Sequence, residues 1–298
     1  MSKDLLFYPG IHQPADCKHL ERSFVSINRL KTRKSDFVVG NWIMDSGAFT
    51  ELNKHGCFQM SPAEYADHIV RWSKCGNLVA ACTQDYMCEP FMFPQPTAEQ
   101  RAADREDYHE YLLHEGANPL WLEMTPWEFE PHYTNVEDHQ WLTVYRYKHI
   151  LEELRARKCN TYLMPVLQGY TPEEYIACLD LYEKEGLLPH GAYVGVGSVC
   201  KRNANPETVV DVLGAIKRRR PDLQLHGFGI KITALRDPKV RALLRSADSM
   251  AWSVDARHTR NRIRKQGGDP ASAPSPNDWR VAVAYAGRVE KIIQGFES

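Results

Sequence analysis

Trp42-Ile43-Met44-Asp45-Ser46-Gly47-Ala48-Phe49 puts an acid, a serine and a glycine at the end of an apolar run. The run opens upstream, at Phe37-Val38-Val39. It reads as a buried strand that delivers the Asp45 carboxylate to the rim of a barrel. Gly47 lets backbone approach a ligand closely, and Phe49 offers a flat apolar face. A second acid, Asp248, sits in another strand-like run.

Around these acids, short apolar runs alternate with helix-like stretches. Strands are expected near Leu5–Tyr8, Phe24–Ile27, Trp42–Met44, Leu78–Cys82, Tyr162–Leu167, Tyr193–Val196, Leu223–Phe228 and Met250–Val254. Ser61-Pro62-Ala63-Glu64 and Thr171-Pro172-Glu173-Glu174 each combine a cap, a first-turn proline and a capping-box glutamate. Asn205-Pro206-Glu207 opens a third helix toward Arg218, and a last one runs roughly from Trp279 to Ile293. The alternation predicts an α/β fold, a (β/α)8 TIM barrel in one domain over residues 1–298. A doubly wound open sheet follows the same strand pattern. Residues 86–140 interrupt the alternation as a long insertion with 12 Asp+Glu against 2 Lys+Arg. Its acidity turns it from phosphates and suits it to a protein partner.

The 298 residues carry a net charge of −1, which hides an asymmetry. Residues 1–150 hold 14 Lys+Arg against 21 Asp+Glu; the remainder holds 23 against 17. The late cations are Lys217-Arg218-Arg219-Arg220, which read as a solvated helix face, and Arg257, Arg260, Arg262, Arg264 and Lys265. The second group is the candidate contact for a nucleic-acid backbone. No apolar segment approaches the roughly 20 residues of a membrane span, and no signal peptide is evident. With eight scattered cysteines, a reduced cytoplasmic setting is expected. Cys82 and Cys88 with His109 or His132 match no standard zinc spacing, and no metal is expected.

Polar groups suited to a flat, hydrogen-bonding ligand recur at the strand ends. They are Asp45, Gln84-Asp85, Gln168-Gly169, Gly195-Val196-Gly197-Ser198, His226-Gly227-Phe228-Gly229 and Asp248-Ser249. A barrel gathers such groups on its catalytic face, where acids, amides and glycine backbone read a nucleobase edge. Taken alone, Phe49 reads as core, His226 as a satisfied strand histidine and each Asp as a cap or ion-pair partner.

As an ordered set these motifs resemble the tRNA-guanine transglycosylases and their relatives, over roughly residues 40–260. Met44 to Phe49 is similar to that family's Asp-Ser-Gly-Gly-aromatic motif. Thr83-Gln84-Asp85 falls where the family has a base-reading Asp, and Val166-Leu167-Gln168-Gly169 resembles its Val-Gln-Gly. Val194 to Ser198 resembles its glycine-rich strand, and Leu225 to Gly229 its hydrophobic-Met-Gly-Val-Gly run. Ala247 to Trp252, followed by Ala256-Arg257, resembles the nucleophile strand of its archaeal branch. Ala48 replaces the second glycine of the first motif, and His226 stands where the family has Met. No cysteine follows Cys200, so the family's zinc subdomain is absent. The chain therefore looks most like the DpdA-type 7-deazaguanine DNA transglycosylases.

That resemblance implies a (β/α)8 barrel without organic cofactor, acting on DNA and a free 7-deazaguanine (preQ0-like) base, with tRNA as the alternative polymer. It implies a retaining pentosyl transfer in which Asp248 is the nucleophile and Asp45 the general acid/base. Asp85 and Gln168 would bind the base edge, beside Gly169, Gly197, Ser198 and Gly227. Phe49 and His226 would stack on the base, and Arg257 with its neighbours would hold phosphates. A non-catalytic barrel that binds nucleic acid or a partner enzyme, and a glycosylase that removes a base without replacing it, fit the same residues.

Overall fold

The computed structural model describes residues 5–93, 135–199 and 205–296. All strand pairings there are parallel and fall into two sheets. The first has the order β1 (Leu6–Pro9), β9 (Ser246–Ser249), β8 (Gln224–Gly227), β7 (Tyr193–Val196), β6 (Val166–Leu167). The second has the order β2 (Arg22–Ser26), β3 (Asn41–Asp45), β4 (Asn77–Cys82), β5 (Leu163–Met164). The α/β class is as expected; the closed barrel is not, because the ladder breaks at two seams. At one, Pro165 separates β5 from β6 and has no N–H to give. Met164 O accepts from Thr83 N on one side, while Pro165 O accepts from Gly195 N on the other. At the other seam a single bridge, Gly10 to Phe24, stands between β1 and β2.

Helices lie between the strands. Among the described residues they are α1 (Ala48–His55), α2 (Pro62–Trp72), α3 (Val136–Ala156), α4 (Pro172–Lys184), α5 (Pro206–Arg219), α6 (Ile232–Leu235), α7 (Pro238–Leu243), α8 (Ala251–Lys265) and α9 (Trp279–Ile293). Both anticipated capping boxes form, Ser61 with Glu64 and Thr171 with Glu174. A third, Asn135 with Asp138, opens α3. None of these helices is long and apolar enough to cross a membrane. The acid-rich centre of the 86–140 insertion, residues 94–134, lies outside the described residues, as do His109 and His132. Its described ends pack inward: Tyr86 and Met87 join Ala48, Leu52, Phe58 and Leu142 in a small apolar cluster.

The strand expected at Met250–Val254 is a correction. β9 lies earlier, at Ser246–Ser249, and Ala251 begins α8. Three of the four β9 residues are polar, which hides the strand. The apolar residues that suggested it, Ala251 and Trp252, instead bury the first turn of a helix. Trp252 Nε1 donates to Gly10 O at 2.9 Å, tying that turn to the end of β1.

Strand alternation sorts side chains between two cores. Trp42, Met44, Phe7, Val25, Leu163, Val194, Leu225 and Ala247 pack in the large core that also holds the helices. Their neighbours Tyr8, Phe24, Ile43, Cys82 and Met164 form a second cluster, joined by Leu6, Tyr193 and Phe228. Both sheets feed this inner cluster, so they enclose one interior. Asp45 shares its parity with Ile43, and Asp248 sits across β1 in register with Tyr8. Both acids are thus aimed into the enclosed side, above its apolar floor. Ile43→Ala empties a fully buried site in that floor. It is expected to cost about 3 kcal/mol in denaturant unfolding, whereas Val38→Ala, at a residue 73% exposed, should change stability by less than about 0.5 kcal/mol.

Candidate active site

Asp248 is buried and held by one oxygen. Its Oδ1 accepts the Gly229 N–H at 3.0 Å and faces His226 Nε2 at 3.3 Å. Among the described residues no donor reaches Oδ2. His226 Nδ1 lies 2.8 Å from Ser246 Oγ, and Ser246 Oγ lies 2.5 Å from the Tyr193 hydroxyl. One proton order satisfies the row: Tyr193 donates to Ser246, Ser246 to Nδ1, and Nε2–H to Asp248. His226 itself is 0% exposed and stacks on Phe24 with ring centroids 5.7 Å apart. Its ring faces are therefore packed against protein, and its position bears on Asp248 rather than on open space.

Asp45 ends β3 and is partly buried as a residue. Burial pushes its carboxyl up to about 6; the Ser26 side chain opposes this, Asp248 adds to it, and the amides of Gly47 and Ser46 oppose it. Gly47, at φ 78, starts the turn into α1, and a Cβ there would meet Asn28 Nδ2 at 2.3 Å. The positive φ, more than the contact with a flexible side chain, explains the glycine. Asp85, three residues beyond β4, is pushed up to about 7, first by burial and then by the Asp45 charge. Ser46 Oγ and Gln168 Nε2 donate to it, at 3.1 and 2.5 Å. The Cys82 thiol feels Asp45, Asp85 and Asp248, all pushing it upward beyond the effect of its own burial. Three aspartates from three strand ends thus all act on one side chain.

Gln168 follows β6 directly, and its Oε1 lies 2.9 Å from Ser198 Oγ. Gly197 makes room for it: a Cβ there would sit 2.2 Å from Gln168 Nε2. The Gly197 backbone is already engaged, its N–H donating to Leu167 O at 3.0 Å and its carbonyl accepting from Tyr175 at 2.6 Å. Gly169 backs onto the Glu174–Tyr175 backbone at the start of α4, and Gly227 onto Ile230. Phe49, on the first turn of α1, is 57% exposed, so it is not core. No group of three or more His, Cys, Asp or Glu among the described residues is placed to hold a metal.

These strand-end acids, glycines and amides occur in the order expected of the resembled family, and a family model tests that independently. The model of DpdA, "DeoxyPurine in DNA protein A", matches residues 3–112 and 95–282. The chain belongs to the DpdA family. No curated protein matches it significantly.

In this DpdA-family chain the cations anticipated on α8 divide. Arg257, Arg262, Arg264 and Lys265 are exposed. Arg260 is partly buried, and its Nε and Nη2 both donate to Ala273 O, at 3.1 and 3.0 Å, which fastens the loop before α9. Arg29 and His12 escaped sequence reading. His12 Nε2 lies 2.8 Å from Ser253 Oγ on α8, and Arg29 Nη2 lies 3.3 Å from Nδ1. Burial, then Arg29 and Arg257, lower the His12 pKa, which places two guanidinium groups around a neutral ring. Glu89 also escaped. It is 2% exposed and accepts from Ser198 Oγ at 2.9 Å. No motif marked it, because it lies in a loop and meets the site only in three dimensions.

The raised Asp85 pKa has a stability consequence. The folded chain takes up this proton near pH 7, whereas the unfolded chain does so only near its ordinary 3.8. The contribution of Asp85 to stability is therefore least above about pH 7 and grows as pH falls toward 4. Asp85→Asn removes that slope. Denaturant unfolding at pH 8 should find the variant about 1–3 kcal/mol more stable than wild type, with the gap closing by about pH 5.

Proposed function

We propose that this chain exchanges a nucleobase in DNA, replacing guanine with a 7-deazaguanine, in one domain whose two sheets form the arcs of a (β/α)8 barrel. One observation carries the reading. An aspartate anchored through a single oxygen, Asp248, shares an interior with an acid raised to about 6, Asp45. Two carboxyls in unlike environments divide into a nucleophile and a proton carrier. The family description, which names deoxypurine in DNA, supports DNA as the polymer.

In the first step Asp248 Oδ2 bonds to C1′ of the target nucleotide as the C1′–N9 bond breaks. The bonding pair leaves with guanine, which takes a proton from Asp45. In the second, the free 7-deazaguanine gives its N–H proton to Asp45, and its nitrogen displaces Asp248 from C1′. Two displacements retain the anomeric configuration. Gly229 N–H and His226 hold the nucleophile, while Asp85 and Gln168 face the base edge with Ser198 behind them. Phe49, exposed on α1, would stack on the flipped base. Arg257, with Arg29 across His12, offers phosphate contacts that offset the roughly few kcal/mol cost of unstacking the nucleotide. The acidic insertion is left for a protein partner.

Labelled guanine offered with duplex DNA, and in parallel with unmodified tRNA, tests the reading. Label should enter DNA and not tRNA. Asp248→Asn should lower exchange by at least about 10³-fold, and Asp45→Asn by about 10²–10⁴-fold. Entry into tRNA alone would replace the polymer and keep the chemistry. Full activity in Asp248→Asn would remove the nucleophile assignment.

A further inference from the structure

At Ser198 the count of protons and acceptors does not balance. Its Oγ lies 2.9 Å from Glu89 Oε2 and 2.9 Å from Gln168 Oε1, and it already accepts the Cys88 N–H at 3.3 Å. One hydroxyl proton serves one acceptor at a time. Gln168 continues the row through Nε2 to Asp85 Oδ2. Asp85, Gln168, Ser198 and Glu89, all at most 7% exposed, therefore form one buried chain with a carboxyl at each end. Ser198 is held there with φ 57, a conformation uncommon for a residue with a side chain.

We propose that Glu89 is a specificity-determining positioning residue: acting through Ser198, it sets which way the Gln168 amide faces, and so whether the Asp85 end of the pocket accepts or donates hydrogen bonds. The proposal rests on reading that pocket as the base site.

Two arrangements of the row compete. With Asp85 ionised, Gln168 turns Nε2 toward it, and the pocket offers acceptors to a base edge rich in N–H groups, as guanine's is. Gln168 Oε1 and Glu89 then contend for the one Ser198 proton. With Asp85 protonated, a reversed amide satisfies every atom. Asp85 O–H donates to Gln168 Oε1, Nε2–H donates to Ser198 Oγ, and Ser198 O–H donates to Glu89. The reversal exchanges amide oxygen and nitrogen at nearly the same positions. A carboxylate draws the serine proton more strongly than an amide oxygen does. Glu89 thus favours the reversed arrangement, and a donor-rich base must overcome it. Purines that lack such an edge gain nothing by doing so.

Among the described residues the groups around this row are few. Tyr65, Cys82, Cys88 and Tyr182 are all pushed upward by burial and are neutral near pH 7. Cys178 is pushed up to about 12 and His139 down to about 4, so both are neutral as well. Asp45 titrates near 6 and moves with Asp85. Glu174 is engaged in its capping box, and the Arg146 guanidinium bonds Gln84.

Equilibrium dialysis of labelled guanine across about pH 5.5–8.5 tests the proposal. Wild type should bind evenly above about pH 7 and lose about ten-fold in affinity per unit below it, as Asp85 takes its proton. In Glu89→Gln, whose amide donates to Ser198, the midpoint should move toward acid by about one unit with the plateau unchanged. Glu89→Asp keeps the charge but withdraws it from Ser198, and should shift the same way. In a Ser198→Gly background, which suits the φ of 57, Glu89→Gln should have no further effect. An unmoved midpoint in Glu89→Gln and Glu89→Asp overturns the proposal, as does an equal shift with and without Ser198, which marks a plain charge effect. Wild type that binds no guanine at any pH overturns the base-pocket reading and this proposal with it.

Discussion

Three aspartates share one largely buried interior, and the low dielectric there decides what each can do. Burial alone opposes ionisation of Asp45 and Asp85, and each added charge opposes the next. The surrounding groups act differently on each acid. Gly229 N–H and His226 anchor Asp248; Ser26 and two backbone amides partly relieve Asp45; Gln168 and Ser46 hold Asp85. An apolar interior with unequal hydrogen bonding thus turns three identical side chains into three different groups. The same burial makes the folded chain less stable when the acids are ionised, so this site works against the fold that carries it.

The fold's contribution is geometric. Alternation places Asp45 and Asp248 on the enclosed side of their strands, while Trp42, Met44 and Ala247 hold those strands to the helices. The inner cluster of Tyr8, Phe24, Ile43, Cys82 and Met164 seals the floor beneath the acids. Phe24 also supports the His226 ring, so one apolar side chain links core packing to the orientation of Asp248.

Much of this was legible in the chain. The apolar run into Asp45 is a true strand end, and the boxes at Ser61 and Thr171 begin real helices, because local chemistry governs both. β9 was misplaced because its polar residues, Ser246, Asp248 and Ser249, face the interior or its rim and carry no apolar signal. The seam at Pro165 was visible as a residue but not as a break, since its effect depends on which sheet each neighbouring carbonyl serves. The residues alone read His226 as a satisfied strand histidine, and only the family resemblance made it a stacking platform, since neither shows that Phe24 already covers its face. Glu89 and Arg29 were invisible: one reaches its partners from a loop and the other from a short 3-10 turn, and no spacing marks a contact made only on folding. Residues 94–134, which hold most of the acid-rich insertion, lie outside the described residues.

The account stands or falls on a covalent bond to Asp248. The most direct measurement is mass-spectrometric mapping of the chain after reaction with substrate DNA, with the incoming base withheld and the mixture quenched in denaturant. The account predicts a sugar adduct on the peptide containing Ser246–Ser249, at Asp248, which disappears when the free base is supplied. An adduct at Asp45 or Asp85, or turnover with no adduct at any residue, would contradict it.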